Sequence, residues 1–197
     1  MASGGRVLLG ITGPPGAGKS TLAEGLARRL TRLCGGPGSV VSVPMDGFHL
    51  AGTELVRLGR SDRKGAPDTF DAAGFVALLD RIRRREDDVV YAPAFRRKIE
   101  EPIAGAIPVA REVPLVLVEG NYLLLEIGAW ARVRPLLDEC WYVDVDDARR
   151  VDQLVARHVG HGRSPEAAAE WVHRSDEANT RLVAAARDRA DLIVRRT

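Results

Sequence analysis

Long apolar runs are absent from this sequence. No stretch of its 197 residues approaches the roughly 18 consecutive apolar residues that a membrane-spanning helix needs. The N-terminal segment MASGGR is too short and too polar for a signal peptide. We therefore expect a cytoplasmic protein with no membrane partner. The length favours a single domain over residues 1–197.

Cysteine is scarce, and neither sign of charge dominates. The two cysteines, Cys34 and Cys140, show no C-x-x-C spacing, and we interpret both as reduced and structural. The formal net charge is only +2, with basic residues scattered among acidic ones, so nucleic acid is not the expected partner. His158 and His161 are too isolated for a metal site, and we interpret them as packing or surface residues.

What the sequence does contain is the phosphate-loop pattern G-x-x-x-x-G-K-[ST]. It lies between Arg6–Thr12, an apolar run typical of a buried strand, and Lys19–Leu33, which has the composition of a helix. The glycines allow the backbone N–H groups of the loop to turn inward, and the N-terminus of the helix points at the same place. Together they favour the binding of a polyphosphate. A glycine-rich turn with an incidental lysine is the structural alternative. We assign ATP binding to the loop residues Gly13, Pro14, Pro15, Gly16, Ala17, Gly18, Lys19, Ser20 and Thr21.

Two acidic residues follow predicted strands. Asp46 comes after Val40–Met45, and Glu119 ends the apolar run that starts at Leu115. Ligands bind at the carboxyl ends of parallel strands, so we expect both acids to share a crevice with the phosphate loop. Glu119 and the hydroxyl of Ser20 are the predicted Mg²⁺ ligands. Asp46 is predicted to align the acceptor hydroxyl and take its proton. A strand-end acid that faces solvent is the alternative for Glu119.

The remaining elements indicate an α/β architecture. Two more apolar strands are predicted at Cys140–Val145 and Ala190–Val194, with helices between the strands. This alternation predicts a three-layer P-loop NTPase fold with a five-stranded, mostly parallel sheet. Residues 89–110, in which short extended pieces alternate with prolines, predict a small hairpin-like insertion. Residues 51–67 lack a sustained period, and we expect a mobile surface segment there.

Residues 157–164 join two predicted helices and contain Gly160 and Gly162. Two arginines on a glycine-broken helical hairpin suggest a helical lid that closes over phosphates. The arginines are Arg157 and Arg163. The alternative is that both are ordinary surface residues of an arginine-rich chain.

The order of these motifs resembles the phosphoribulokinase/uridine kinase family of P-loop kinases. The resemblance covers nearly the whole chain and rests on GPPGAGKS, MDGFH, RKGAPDTFD, VEGNYLLL, ARHVGHGRS and ADLIV. It is strongest to small bacterial members described as nucleoside/nucleotide kinase-like or fructose-kinase-like, and weaker to pantothenate kinases. The order of motifs is specific to the family, whereas no single motif is specific to one substrate.

The resemblance implies an ATP- and Mg²⁺-dependent kinase that phosphorylates a hydroxyl of a sugar, a nucleoside or a pantothenate-like metabolite. It implies catalytic roles for Asp46, Lys19, Arg157 and Arg163, and a Walker B role for Glu119. Residues of the surrounding motifs are assigned to the acceptor: Asp46, His49, Lys64, Arg97 and Asn121. A homodimer is left open. So is a nucleotide-dependent switch without an acceptor, although the chain has no N-K-x-D guanine-reading motif.

The sequence departs from the family pattern at two places. Gly65 stands two residues before Pro67, at the position where uridine kinases carry an acid that binds the ribose. The missing acid disfavours uridine as the acceptor. The run Lys64-Gly65-Ala66-Pro67 is more similar to that of pantothenate kinases. Related small kinases have Phe-Asp-Arg where this chain has Phe95-Arg96-Arg97. The additional cation, Arg96 in place of the acid, favours an anionic acceptor, unless it points away from the site.

Overall fold

The computed structural model describes residues 5–33 and 35–196, so Cys34 and the interpretation we gave it lie outside the described residues. The strands are, in chain order, β1 (Val7–Thr12), β2 (Val40–Pro44), β3 (Val89–Arg96), β4 (Glu101–Ala110), β5 (Leu115–Glu119), β6 (Glu139–Val145) and β7 (Leu192–Arg196). The helices are α1 (Lys19–Leu33), α2 (Gly52–Arg57), α3 (Ala72–Arg84), α4 (Asp147–Gly160), α5 (Pro165–Trp171) and α6 (Glu177–Ala185).

Five strands form one parallel sheet in the order β2-β5-β1-β6-β7. Helices flank it on both faces, because Leu8 and Ile11 of β1 belong to two separate apolar clusters and side chains three apart on a strand point to opposite faces. The predicted three-layer α/β fold with a parallel sheet is confirmed. Strand β2, which ends at Pro44, lies at the edge of the sheet, where a proline is tolerated.

The large apolar cluster lies under α3. Asp71 caps this helix, since its carboxylate accepts a hydrogen bond from the backbone N–H of Gly74 at 2.8 Å. Phe75, Leu79 and Ile82 on the inner face are completely buried. This packing holds the sheet edge that carries β2 and β5.

Strands β3 and β4 pair antiparallel as a separate two-stranded sheet, which confirms the predicted hairpin-like insertion. The segment 51–67 differs from its prediction as an irregular surface stretch, because it contains α2 and a short 3₁₀ turn at Ser61–Arg63. The buried Leu55 anchors α2. A helix of six residues is too short for its period to show in the sequence.

The last strand begins at Leu192 and not at Ala190. The reason is a turn, in which the carboxylate of Asp191 accepts hydrogen bonds from the backbone N–H of Cys140 at 2.6 Å and from Arg134 at 2.9 Å. Cys140 is buried and forms no disulfide, as predicted. Among the described residues, no helix combines the length and apolar character needed to cross a membrane.

Candidate functional site

The phosphate loop runs from the end of β1 into α1, at the carboxyl edge of the central strand. Gly13 and Gly16 have φ angles of 145° and 80°, which side-chain-bearing residues rarely adopt. A Cβ at Gly13 would also lie 2.6 Å from the carbonyl oxygen of Val143, and one at Gly16 would lie 2.7 Å from Leu154. The loop therefore requires glycine at both positions, on conformational and steric grounds.

Lys19 is buried at the floor of the loop. Its Nζ donates a hydrogen bond to the carbonyl of Pro14 at 2.9 Å. Burial lowers the pKa of this ammonium, while Glu119 and Asp46 act in the opposite direction. A buried lysine that is held only by a neutral carbonyl and two nearby carboxylates is well placed to pair with a phosphate.

The two predicted Mg²⁺ ligands lie side by side. The hydroxyl of Ser20 donates to Oε2 of Glu119 at 3.3 Å. Burial raises the pKa of Glu119 to about 7, with Lys19 opposing the shift. Hydroxyl and carboxylate oxygens are the ligand types that Mg²⁺ takes from proteins, with nucleotide phosphates and water completing its shell, so these residues fit the ion. The described residues contain no group of three or more His, Cys, Asp or Glu side chains that would hold a metal without a nucleotide.

Asp46 lies on the 3₁₀ turn Met45–Phe48 that follows β2. Its Oδ2 lies 3.3 Å from Nη2 of Arg97, which stands at the start of the turn between β3 and β4. Arg97 therefore points into the site, whereas Arg96, the additional cation, is exposed and is not among the residues that line the cavity, which favours the alternative in which that cation points away. Asp46 also contributes to the raised pKa of Glu119, which indicates that the two acids face the same crevice.

The crevice is a cavity of about 500 Å³. It brings together most of the residues assigned from the sequence: Pro15, Gly16, Lys19, Ser20, Asp46, His49, Lys64, Arg97, Glu119, Asn121, Arg157 and Arg163. Gly18 and Thr21 line an adjoining cavity of about 300 Å³. Gly13, Pro14 and Ala17 are the buried part of the loop itself, in which Ala17 donates its N–H to the carbonyl of Pro14 at 3.1 Å.

One half of the crevice has an aromatic wall. The ring of His49 lies 4.0 Å from that of Phe70 and 4.7 Å from that of Phe95, between centroids. Its Nδ1 lies 2.8 Å from the carbonyl of Asp46, and burial lowers the pKa of the imidazole. Lys64 lies over the ring of Phe95, with its Nζ 5.1 Å from the centroid. We call the part of the cavity beside these aromatic rings the acceptor half.

Asn121 follows β5 directly and lines the same cavity. Its backbone carbonyl accepts a hydrogen bond from the hydroxyl of Thr12 at 3.0 Å. This bond ties the ends of β5 and β1 together next to the phosphate loop. Asn121 therefore stands at the edge of the cavity, next to the phosphate loop.

The predicted lid differs from a glycine-broken hairpin, because α4 continues through Gly160. The break comes at Gly162, which has a φ of 95°, and Ser164 caps α5 by accepting the N–H of Ala167 at 3.2 Å. Arg163 stacks on Trp171, with its guanidinium carbon 4.1 Å from the ring centroid. Burial and the nearby Arg97 lower the pKa of Arg157.

Sequence reasoning missed several residues of the site. Arg150 is completely buried, bonds Glu177 at 2.5 Å and reaches the carbonyl of Pro15 at 3.5 Å, so it supports the phosphate loop from below. Asp176 and Asn179 line the same cavity, and Asn179 donates to the carbonyl of Gly65 at 3.3 Å. Their spacing could have indicated them in the sequence, because two polar residues at i and i+3 lie on the same face of a helix. Arg150 had no distinguishing signal in an arginine-rich chain.

Comparison with known proteins places this geometry in a family. No protein-family model matches the chain. A Schizosaccharomyces pombe protein provisionally assigned as a uridine kinase is 35% identical over 184 residues, covering 90% of this chain and 78% of that protein. The uncharacterised Escherichia coli K12 protein YggC is 31% identical over 195 residues, covering 98% and 78%. A crystal structure from Silicibacter sp. TM1040, provisionally described as a fructose transport system kinase, is 38% identical, with a TM-score of 0.88 and coverage of 98% and 91%.

Proposed function

Since the chain belongs to the phosphoribulokinase/uridine kinase family of P-loop kinases and is a phosphotransferase with a hydroxyl acceptor, we propose that it transfers the γ-phosphoryl group of ATP, with Mg²⁺, to a small metabolite. The candidate acceptors are sugars, nucleosides and pantothenate-like molecules. One observation carries the proposal: Lys19, the Ser20–Glu119 pair and Asp46 meet in one cavity. A cavity of about 500 Å³ is of the size that small-molecule ligands occupy.

The nucleotide half of the reaction depends on the phosphate loop. Backbone N–H groups of the loop and the N-terminus of α1 bind the phosphates. Lys19 exchanges its bond to the carbonyl of Pro14 for a phosphate oxygen. Ser20 and Glu119 would hold the Mg²⁺ ion, which would supply neutralising charge to the transferring phosphoryl group. Arg157 and Arg163 approach the same group from the lid and reduce its contact with water.

The acceptor half supplies positioning and one proton transfer. Asp46 accepts a hydrogen bond from the acceptor hydroxyl and takes its proton as the new P–O bond forms. His49, Lys64, Arg97 and Asn121 surround the remainder of the acceptor. Phosphoryl transfer needs little covalent assistance from the protein, so alignment and charge stabilisation account for most of the catalysis.

A screen of ATP turnover against sugars, nucleosides, pantothenate and glycerate tests this function. We expect one class of acceptor to stimulate turnover well above the rate of ATP hydrolysis without acceptor, in the presence of Mg²⁺. Slow hydrolysis that is indifferent to every acceptor, together with a nucleotide-dependent protein partner, would instead identify a switch. Three further points stay predictions. The partner is a small molecule and not nucleic acid or a membrane, a homodimer can form, and the protein works in the cytoplasm.

A further inference from the structure

The crevice contains a carboxylate that the proposed mechanism does not use. Asp176 ends a π-helical stretch, Val172–Asp176, which connects α5 to α6. Such stretches occur frequently at functional sites, because the additional residue redirects one side chain. Asp176 is only 8% exposed and lines the cavity. Asn179 follows on the adjacent turn, lines the same cavity and is 5% exposed.

One oxygen of this carboxylate is already engaged. Oδ2 of Asp176 lies 2.9 Å from Nε2 of His158, on the last turn of α4. Within residues 5–33 and 35–196, His158 is the hydrogen-bonding side chain that the structure gives to this carboxylate. Oδ1 is therefore available to a ligand in the cavity. Among the described residues no buried side-chain oxygen lacks a hydrogen-bond partner, so Oδ1 faces the cavity, where it can accept a hydrogen bond from a bound hydroxyl.

The cations of the acceptor half are paired within the protein. Arg97 pairs with Asp46 at 3.3 Å. Lys64 donates to the carbonyl of Glu100 at 2.5 Å, and its Nζ lies 3.8 Å from the carboxylate of the same residue. The lowered pKa of His49 keeps this imidazole neutral near pH 7. An anionic acceptor would have to break one of these pairs and would meet two carboxylates, Asp46 and Asp176.

Other features of the acceptor half suit a neutral ring that carries hydroxyl groups. The aromatic wall of His49, Phe70 and Phe95 supplies apolar surface beside which the carbon side of a ring can pack. The amide of Asn179 donates to the carbonyl of Gly65 at 3.3 Å, so its Oδ1 remains an acceptor for another hydroxyl. Carboxylate and amide oxygens on one wall provide hydrogen-bond acceptors for several hydroxyls.

We propose that Asp176, held by His158, is a specificity-determining residue that binds a non-reacting hydroxyl of the acceptor, and that the site selects a neutral polyhydroxylated molecule over a carboxylate-bearing one. This inference rests on the proposed function. It also bears on both arginines of Phe95-Arg96-Arg97. Arg97 serves Asp46, and the additional cation Arg96 is exposed and is not among the residues that line the cavity, so neither selects an anionic acceptor.

The wild-type enzyme gives the first test. Neutral and acidic members of matched pairs are compared by kcat/KM with ATP and Mg²⁺: ribose and ribonate, glycerol and glycerate, pantothenol and pantothenate. We expect the neutral member to be preferred at least tenfold in the pair that reacts best. Preference for the acidic member overturns the inference and leaves the kinase function intact. If neither these six compounds nor any nucleoside stimulates ATP turnover, the proposed function is wrong, and the inference fails with it.

The second test removes the charge. Asp176→Asn should raise the KM of the neutral acceptor about 10- to 100-fold, the effect of losing a hydrogen bond to a charged group, with a much smaller change in kcat. Binding of a non-hydrolysable ATP analogue should stay within about twofold. The ratio of kcat/KM for the neutral member to that for the acidic member should decrease. Glu170→Gln, which removes an exposed carboxylate of α5, is the matched control and should behave as wild type.

An unchanged KM in Asp176→Asn overturns the assignment of this residue. Thermal unfolding reports whether the variant is folded. If it is not, His158→Gln keeps the carboxylate while removing its ionisable partner, and we expect a smaller increase in KM, with the neutral preference retained. A loss of kcat without any change in KM in His158→Gln would contradict the inference. The wild-type comparison of matched pairs decides the selectivity in either case.

Discussion

Nη2 of Arg97 lies 3.3 Å from Oδ2 of Asp46, and this contact ties the turn of the β3–β4 hairpin to the first turn after β2. Arg97 lines both the large cavity and the smaller one beside the phosphate loop. The proposed catalytic base is therefore oriented by a residue of the insertion. The pair is partly exposed, so its contribution to folding stability is small. Its expected effect is on catalysis, through the orientation of Asp46.

Replacing Arg97 by glutamine should lower kcat roughly 10- to 100-fold, because a misplaced catalytic group costs about that much. Affinity for an ATP analogue should change little. Arg96→Gln, at an exposed position next to it, removes the same charge and should retain activity. Steady-state kinetics on both variants provide the comparison. A rise in kcat for Arg97→Gln would show instead that the arginine restrains Asp46.

Lys19→Ala should abolish turnover while the protein stays folded. Burial lowers the pKa of this ammonium, but the ammonium also opposes the raised pKa of Glu119, so the variant loses one buried charge and leaves a less compensated carboxyl. Thermal unfolding should still show one cooperative transition. Lys98→Ala, at an exposed position of the hairpin turn, is the control. Wild-type turnover by Lys19→Ala would mean that the phosphate loop was wrongly assigned.

Asp46→Asn and Glu119→Gln should give different phenotypes. A carboxylate base contributes about 10²–10⁴-fold, so Asp46→Asn should lower kcat within that range and leave ATP affinity nearly unchanged. Glu119→Gln should weaken the dependence of nucleotide binding on Mg²⁺, since Glu119 with Ser20 forms the proposed metal site. Calorimetric titrations at several Mg²⁺ concentrations separate the two. Exchanged phenotypes would reverse the roles of the acids.

Stability should depend on pH through Glu119. Burial raises the pKa of this carboxyl to about 7 in the folded protein, whereas an unfolded chain releases the proton near pH 4.3. Stability that is present below about pH 4.3 is therefore lost as the pH rises towards 7. Between pH 5 and 7.5, the Tm of the wild type without nucleotide should fall relative to that of Glu119→Gln. Parallel curves for the two proteins would contradict the raised pKa.

Nucleotide binding should protect the lid. We expect amide hydrogen exchange across residues 157–164 to slow when an ATP analogue and Mg²⁺ bind, because Arg157 and Arg163 then contact phosphates and the segment closes. Peptides from α3, whose inner face is buried in the core, serve as the internal reference and should not change. Unchanged protection in residues 157–164 would support the alternative of two surface arginines.

Much of the fold was predictable because its signals are local. Helix α1 begins at Lys19 as predicted, since glycine, lysine and serine mark that boundary within a few residues. Asp71 caps α3 by accepting the N–H of Gly74, three residues later, which is a contact within one turn of the chain. By contrast, α2 was missed because it is short, and the start of β7 was displaced by the hydrogen bond between Asp191 and the backbone of Cys140, which no local pattern indicates.

The sequence by itself determined that a phosphate loop, a strand-end Asp46 and a strand-end Glu119 would converge, because parallel strands place their carboxyl ends at one edge of a sheet. Only the tertiary structure decided which arginine serves which acid. Arg97 meets Asp46 and Arg150 meets Glu177 across long stretches of chain, and an arginine-rich sequence offers many equivalent candidates for each pair. The π-helical stretch that brings Asp176 to the cavity also depends on packing. Long-range contacts, and not local propensity, select this conformation, because each segment must fit the rest of the fold.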